Sequence, residues 1–284
     1  MRVFVATASN DTYLPLLQGL LDSLKQFGNP LPFSAVGCLD VGLSEGNRAS
    51  LATQGVQVVE ARWDLPVEPA LQKLTPHLRS LTARPFLPDY FPGYDIYLWI
   101  DCDAWVQERF VFEWFFRAAK DGALAVAPEI DRSYNQRIGH SWKADRLRRY
   151  YGENAAEKML TQHYFNAGVF AMRADAPHWS HWAAHFEAGL KATGGTLVCD
   201  QTALNHAIWS HQLPMHPLPS TCNWLCHLAL PAFDFARQKF CEPLFPHSPL
   251  GVLHLTANTK DLRVTLNDES SGTFRAAGLR FQAA

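Results

Sequence analysis

The chain has 284 residues, 48% hydrophobic and 18% charged, with a formal net charge of -2 and a pI near 6.6. That length supports a sizeable core, and a near-neutral balance without a basic stripe excludes nucleic acid as the main partner. No window approaches the ~18 apolar residues of a membrane-spanning helix, so none is expected, while peripheral membrane contact stays open.

The opening MRVFVATASND has too short an apolar run for a signal peptide and no A-x-A-like cleavage site. Residues 2–7 read instead as a first buried strand, and SND reads as a turn. A cytoplasmic location is expected, with six cysteines as thiols rather than disulfides. From Tyr13 to Phe27, Leu14, Leu17, Leu20, Leu21, Leu24 and Phe27 recur at helical spacing, ending before Gly28, Asn29 and Pro30. Residues 33–39 read as a second strand, 44–53 as a helix and 56–60 as a third strand. This alternation predicts an α/β sheet with largely parallel strands.

Residues 63–76 are punctuated by proline and take no assignment. Residues 78–86 read as a short helix, 95–100 as a central strand, 110–118 as a helix and 123–127 as a strand. Residues 132–149 are polar and highly charged, and read as a mobile loop over the site. FNAGVFAM, 165–172, is a buried strand. Asp175 reads as the N-cap of a helix with Pro177 in its first turn, reaching Leu190. Its core stripe is Trp179, Trp182, Phe186 and Leu190, with His178, His181 and His185 as flanking surface residues. Residues 200–209 read as a helix and 252–255 as a late strand. In CNWLCH, the spacing of Cys222, Cys226 and His227 suits structural zinc sites poorly. With no repeat or linker visible, one domain over residues 1–284 is expected.

The segment IYLWIDCDAWV, 96–106, carries two aspartates at the end of a buried strand. Ligands in open α/β sheets bind at the carboxyl ends of strands. Residues i and i+2 of an extended segment point the same way, so Asp101 and Asp103 face one object. Unpaired, they repel each other; a divalent cation removes that conflict and leaves positions open for phosphates. The alternative is ordinary: one Asp caps a helix and the other is a solvated loop residue.

Other segments match in order along the chain. The sequence resembles glycosyltransferase family eight, the retaining GT-A-fold enzymes that include glycogenin and the bacterial lipopolysaccharide galactosyltransferases. VFVATASNDTYLPLLQGLLDSL is similar to that family's first strand, turn and helix, and IYLWIDCDAWV to its metal-binding segment. YFNAGVFAM resembles its N-A/S-G-V strand, CDQTALN its D-Q helix start, and HLTANTK its late H-x-x-G-x-x-K element. The resemblance runs from residue 2 to about residue 261. It implies a GT-A fold, α/β with a Rossmann-like, mixed, mostly parallel central sheet flanked by helices.

By that resemblance Asp101, Asp103 and His254 are ligands of Mn2+, with Mg2+ possible; two carboxylates and an imidazole suit Mn2+ better than Ca2+. Thr7, Ser9 and Asn10 match positions that contact uridine, and Tyr13 one that stacks on uracil. Arg84 approaches the donor, Cys102 lies between the aspartates, and Lys260 binds the diphosphate. Asn166 and Ala167 contact the sugar, with Gly168 allowing close approach. Asp200 holds sugar hydroxyls and Gln201 lies below the anomeric carbon; Asp200 also reads as an N-cap. Two departures stand out. The usual Gly of H-x-x-G-x-x-K is Ala257, strained if that position needs positive φ, and the usual Pro-Trp after the lysine is Asp261-Leu262.

The implied activity is transfer of a hexose from a UDP-sugar to a glycan, lipid-linked or protein acceptor. A covalent retaining route wants a carboxylate beneath C1, where the sequence offers Gln201, so front-face attack is favoured. A catalytically silent sugar-nucleotide-binding protein of the same fold is the main alternative. A nucleotidyltransferase is disfavoured because ATASND has neither Gly nor Lys.

Overall fold

The computed structural model describes residues 1–28, 30–268 and 273–282. In chain order it begins with β1 Val3–Ser9, α1 Leu14–Lys25, β2 Ala35–Asp40, α2 Glu45–Thr53 and β3 Val56–Glu60. Short helices α3 Pro69–Leu74, α4 Arg79–Ala83 and α5 Leu87–Tyr90 lead into β4 Ile96–Ile100 and β5 Ala104–Val106. Next come α6 Phe110–Ala119, β6 Leu124–Pro128, α7 His140–Tyr151, α8 Glu153–Leu160, β7 Phe165–Arg173, α9 His178–Ala192 and α10 Asp200–His211. The remaining strands are β8 Met215–Pro217, β9 Trp224–Leu225, β10 Ala232–Asp234, β11 Lys239–Cys241, β12 Val252–His254, β13 Arg263–Asp268 and β14 Thr273–Gly278.

The main sheet has the order β3-β2-β1-β4-β7-β6-β8. β3, β2, β1 and β4 pair in parallel, and β7 runs antiparallel to both β4 and β6. Strand alternation sends side chains to opposite faces. Phe4, Ala6, Tyr97 and Trp99 therefore join Trp182, Phe186 and Leu204 on one side. Val3, Val5, Ile96, Leu98 and Ile100 join Leu17, Leu20, Val111 and Phe115 on the other. β5, which follows β4 directly, belongs to a smaller sheet of order β5-β12-β9.

Most expected elements are present within a few residues. The 132–149 segment is the main correction: from His140 onward it is helix, not loop. Ala144, Leu147 and Tyr150 are its buried residues, and so narrow a stripe is easily hidden among charged neighbours. Asp175 does not cap α9, whose N-cap is Pro177. Its carboxylate instead takes Arg173 through two contacts of 2.7 and 2.6 Å. The Trp179, Trp182, Phe186 and Leu190 stripe is buried as expected. The histidines are not simply surface residues, however. His178 is fully buried, with Nε2 2.8 Å from the carbonyl of Pro214. His185 lies between His206 and His211 at 2.7 and 2.9 Å. Asp200 is the first residue of α10 rather than its cap, which is Cys199.

Candidate functional site

β4 ends at Ile100, and the chain turns at once: the amide of Ala104 donates to the carbonyl of Asp101 at 2.9 Å. Asp101 and Asp103 thus flank a turn, which corrects the expectation of an extended i, i+2 pair. They converge because of the strand after the turn. β5 pairs antiparallel with β12, setting Ala104 opposite His254, and the amide of Leu255 donates to the carbonyl of Asp103 at 2.9 Å. That pairing delivers an imidazole from late in the chain to the two carboxylates.

His254 Nε2 lies 3.2 Å from Asp103 Oδ1 and 3.6 Å from Asp101 Oδ2. Each aspartate spends its other oxygen elsewhere. Asp101 Oδ1 accepts from Arg84 at 2.8 Å and from the Trp99 indole at 2.7 Å, while Asp103 Oδ2 pairs with Lys260 at 2.8 Å. Burial works against charge on Asp103, but His254 and Lys260 outweigh it and hold the carboxyl down at about 2. Lys260 is itself opposed by burial, yet Asp103 raises it above its ordinary value. One ligand atom from each of Asp101, Asp103 and His254 falls within 4.8 Å of the others, and this is the one such group among the described residues. Two hard oxygens and one imidazole fit a divalent ion of the Mn2+ or Mg2+ type.

Beside this group opens a cavity of about 450 Å³ lined by Ser9, Asn10, Tyr13, His77, Ser80, Arg84, Trp99, Asp101, Cys102 and Asp103, among others. Tyr13 is partly exposed there, with Lys260 Nζ 5.8 Å from its ring centre. Asn10 Oδ1 accepts from the amide of Tyr13 at 2.9 Å and so fixes the turn into α1. Thr7 differs from its neighbours. It is fully buried beneath the site and does not line the cavity.

The other wall comes from β7. Because β7 is antiparallel to β4, its first residues lie beside the last residues of β4. Its pairing with β6 shifts register between Phe165 and Phe170, a bulge that re-aims Asn166, Ala167 and Gly168. The Gly168 carbonyl accepts from the amide of Asp101 at 2.8 Å. A Cβ on Gly168 would stand 2.2 Å from His254 and 2.7 Å from Asp101, so only glycine admits this packing.

Arg84, 5% exposed, ties the two walls together. It stacks over Trp99 and donates to Asp101, to Asp200 at 2.8 Å and to the Ala167 carbonyl at 3.1 Å. Burial pushes the Asp200 carboxyl up, partly offset by Arg84. Gln201 Oε1 accepts from the Ala167 amide at 3.0 Å, and its Nε2 donates to Glu129 at 3.0 Å.

Glu129 was not foreseen. It follows β6 directly, its Oε1 accepts from both Asn166 and Gln201, and its Oε2 pairs with Lys143 of α7 at 2.6 Å. The signal that marked Asp101, an acid at the carboxyl end of a strand, also marks Glu129. Lys143 carried no such signal, since it lay in an unrecognised helix. The Cys222–His227 stretch contributes buried thiols, with Cys222 and Cys226 pushed up to about 12 by burial.

No protein-family model matches this sequence, and no curated protein matches it. Solved structures do match. The chain is similar to the galactosyltransferase LgtC in complex with donor and acceptor sugar analogs, at 16% identity and TM-score 0.55, covering 90% of this chain and 88% of that one. An active-site mutant of LgtC, glutamine to glutamate, matches at TM-score 0.53 and 16% identity, over 89% and 87% of the two chains. The bifunctional glycosyltransferase WbbM matches at 15% identity and TM-score 0.54, over 90% of this chain and 46% of WbbM. Mouse xyloside xylosyltransferase 1 matches at 12% and 0.52, over 90% and 98%. These likenesses establish the expected GT-A fold, a mostly parallel mixed sheet flanked by helices. No helix among the described residues is long and apolar enough to cross a membrane.

Proposed function

We propose that the protein is a metal-dependent retaining glycosyltransferase of family eight, moving a hexose from a UDP-sugar to an acceptor hydroxyl. The observation that carries the reading is the convergence of Asp101, Asp103 and the buried His254, with both aspartates on the wall of the 450 Å³ cavity. In a GT-A fold, that is a seat for a cation beside room for a nucleotide. The GT-A neighbours are glycosyltransferases, and LgtC has a glutamine in its active site.

A bound Mn2+ or Mg2+ would supply charge to neutralise the diphosphate and stabilise its departure. Tyr13, Ser9 and Asn10 would face the uridine, with Thr7 supporting them from below. Lys260, now on Asp103, would turn to the diphosphate oxygens as they gain charge. Asn166, Ala167, Asp200 and Gln201 would hold the sugar. The C1–oxygen bond to UDP breaks, the acceptor oxygen bonds to C1 on the same face, and its proton passes to the departing phosphate. Glu129 is a poor covalent nucleophile, because both its oxygens are engaged by Asn166, Gln201 and Lys143. Asp200 is likewise held by Arg84. Front-face attack is therefore the favoured route. A single domain, a cytoplasmic site of action and a glycan, lipid-linked or protein acceptor belong to the same proposal.

A second reading, a silent sugar-nucleotide-binding protein, draws on Ala257, whose φ of +52° strains the loop that carries Lys260. Incubation with Mn2+ and a panel of UDP-sugars, with and without acceptors, separates the two. Released UDP that is lost in Asp103→Ala supports the enzyme; tight UDP binding with no turnover on any acceptor supports the silent protein.

A further inference from the structure

Asn223 directly precedes β9, which pairs in parallel with β12 and sets Leu225 opposite His254. It is 1% exposed, and its amide donates to the Ser220 carbonyl at 2.9 Å. Its side chain sits between two residues of the site. One end is 2.9 Å from Asn166 Oδ1 and the other 2.9 Å from His254 Nδ1.

The proton positions in this row are set by one backbone amide. The N–H of Gly168 lies 2.9 Å from the Asn166 side chain and can only donate, so the atom it meets is Oδ1. Asn166 Nδ2 then points at Glu129 Oε1, 2.9 Å away, an acceptor as this orientation requires. Asn223 must accordingly present its Nδ2 to Asn166 Oδ1, which leaves its own Oδ1 facing His254. Nδ1 of His254 therefore carries a proton and donates it. Nε2 is the nitrogen turned toward Asp103 and Asp101.

Resting on the metal reading above, we infer that Asn223 is a positioning residue that fixes the tautomer and ring orientation of His254, and locks Asn166 to the same frame. Without Asn223 the imidazole would lose its acceptor at Nδ1. It would then be free to place its proton on Nε2 and donate to Asp103, an arrangement in which Nε2 cannot ligate a cation. The row Glu129–Asn166–Asn223–His254 thus joins the wall expected to meet the sugar to the group expected to hold the metal.

The test combines one spectrum with three variants of the full chain. Ring-nitrogen NMR of metal-free wild type at pH 8 should show a proton on His254 Nδ1; a bare Nδ1 overturns the inference without any mutation. Mn2+ affinity is then measured by calorimetry without nucleotide. Asn223→Ala should weaken it 10- to 100-fold, the size expected for losing a partner of a ligating histidine. Asn223→Asp still accepts from Nδ1 but turns a second acceptor on Asn166 Oδ1, so it should bind Mn2+ more tightly than Asn223→Ala while falling short of wild type; affinity no better than that of Asn223→Ala counts against the tautomer role. Asp103→Ala should abolish binding. Full affinity in Asn223→Ala alongside loss in Asp103→Ala overturns the role of Asn223 alone. Unchanged affinity in Asp103→Ala overturns the metal reading, and the role of Asn223 with it.

Discussion

Gly168 and His254 pack so closely that a single added methyl on the glycine would stand 2.2 Å from the Cε1 of the imidazole. The backbone of β7 is therefore part of the wall against which His254 is held. Gly168→Ala should displace His254 or open the bulge, and Mn2+ affinity should fall by at least tenfold. Calorimetry on protein whose circular dichroism matches wild type is the check; undiminished affinity would show that the contact does not position the ligand.

Glu129→Gln keeps the shape of the side chain but removes the charge that Lys143 pairs with. Whichever way its amide turned, the new NH2 would meet a donor: the Lys143 ammonium on one side, or both Asn166 Nδ2 and Gln201 Nε2 on the other. The expected result is a turnover number at least tenfold lower, with UDP affinity within about twofold of wild type, roughly 1.4 kcal/mol on the reaction barrier alone. Gln201→Ala should show the same split. Equal losses in binding and turnover would place these residues against the nucleotide instead.

Ala257 occupies left-handed backbone at φ +52°, a conformation costing a side-chain-bearing residue roughly 1–2 kcal/mol. Ala257→Gly should raise the melting temperature by about 2 °C or more. The gain comes without a new contact, so thermal unfolding of the two proteins in one buffer decides it. A lower melting temperature would mean that lost chain entropy outweighs relieved strain.

The buried histidines set an acid limit. Burial, with smaller contributions from neighbouring histidines, lowers His178 and His206 to about 4. His206 stacks on Tyr151 at 3.7 Å and faces His185 and Ser210, and His211 also lowers it; among the described residues none of these partners is a carboxylate that would welcome its charge. In the unfolded chain each takes a proton near pH 6.5. Their contribution to stability is complete above that value and is lost as pH falls toward 4. Asp103, held at about 2, adds its own loss only below about pH 4. The melting temperature should thus drop between pH 6.5 and 4, and His206→Gln should flatten that slope. A pH-independent melting temperature over this range would contradict the assignment.

Much of the fold was legible because its signals are local. The unbroken runs of VFVATAS and IYLWI, buried along their whole length, and the 3.6-residue spacing of Leu17, Leu20, Leu21 and Leu24 report which segments need burial whatever they pack against. α7 was missed for the same reason, since its three buried residues are too few to outweigh its charges. The acids at the strand ends were equally visible, Asp101 and Asp103 recognised and Glu129 passed over. What the sequence determined by itself was therefore the set of elements, the acidic strand ends and, through ordered motifs, the candidate partners His254 and Lys260. Tertiary structure alone decided which of these meet. The antiparallel course of β7 brings Asn166 beside Asp101, the β5–β12 pairing carries His254 across the chain, and Asn223 gains its place only from β9. Hydrogen bonds and close packing act over a few ångströms between residues far apart in the chain, so no pattern within a short window records them.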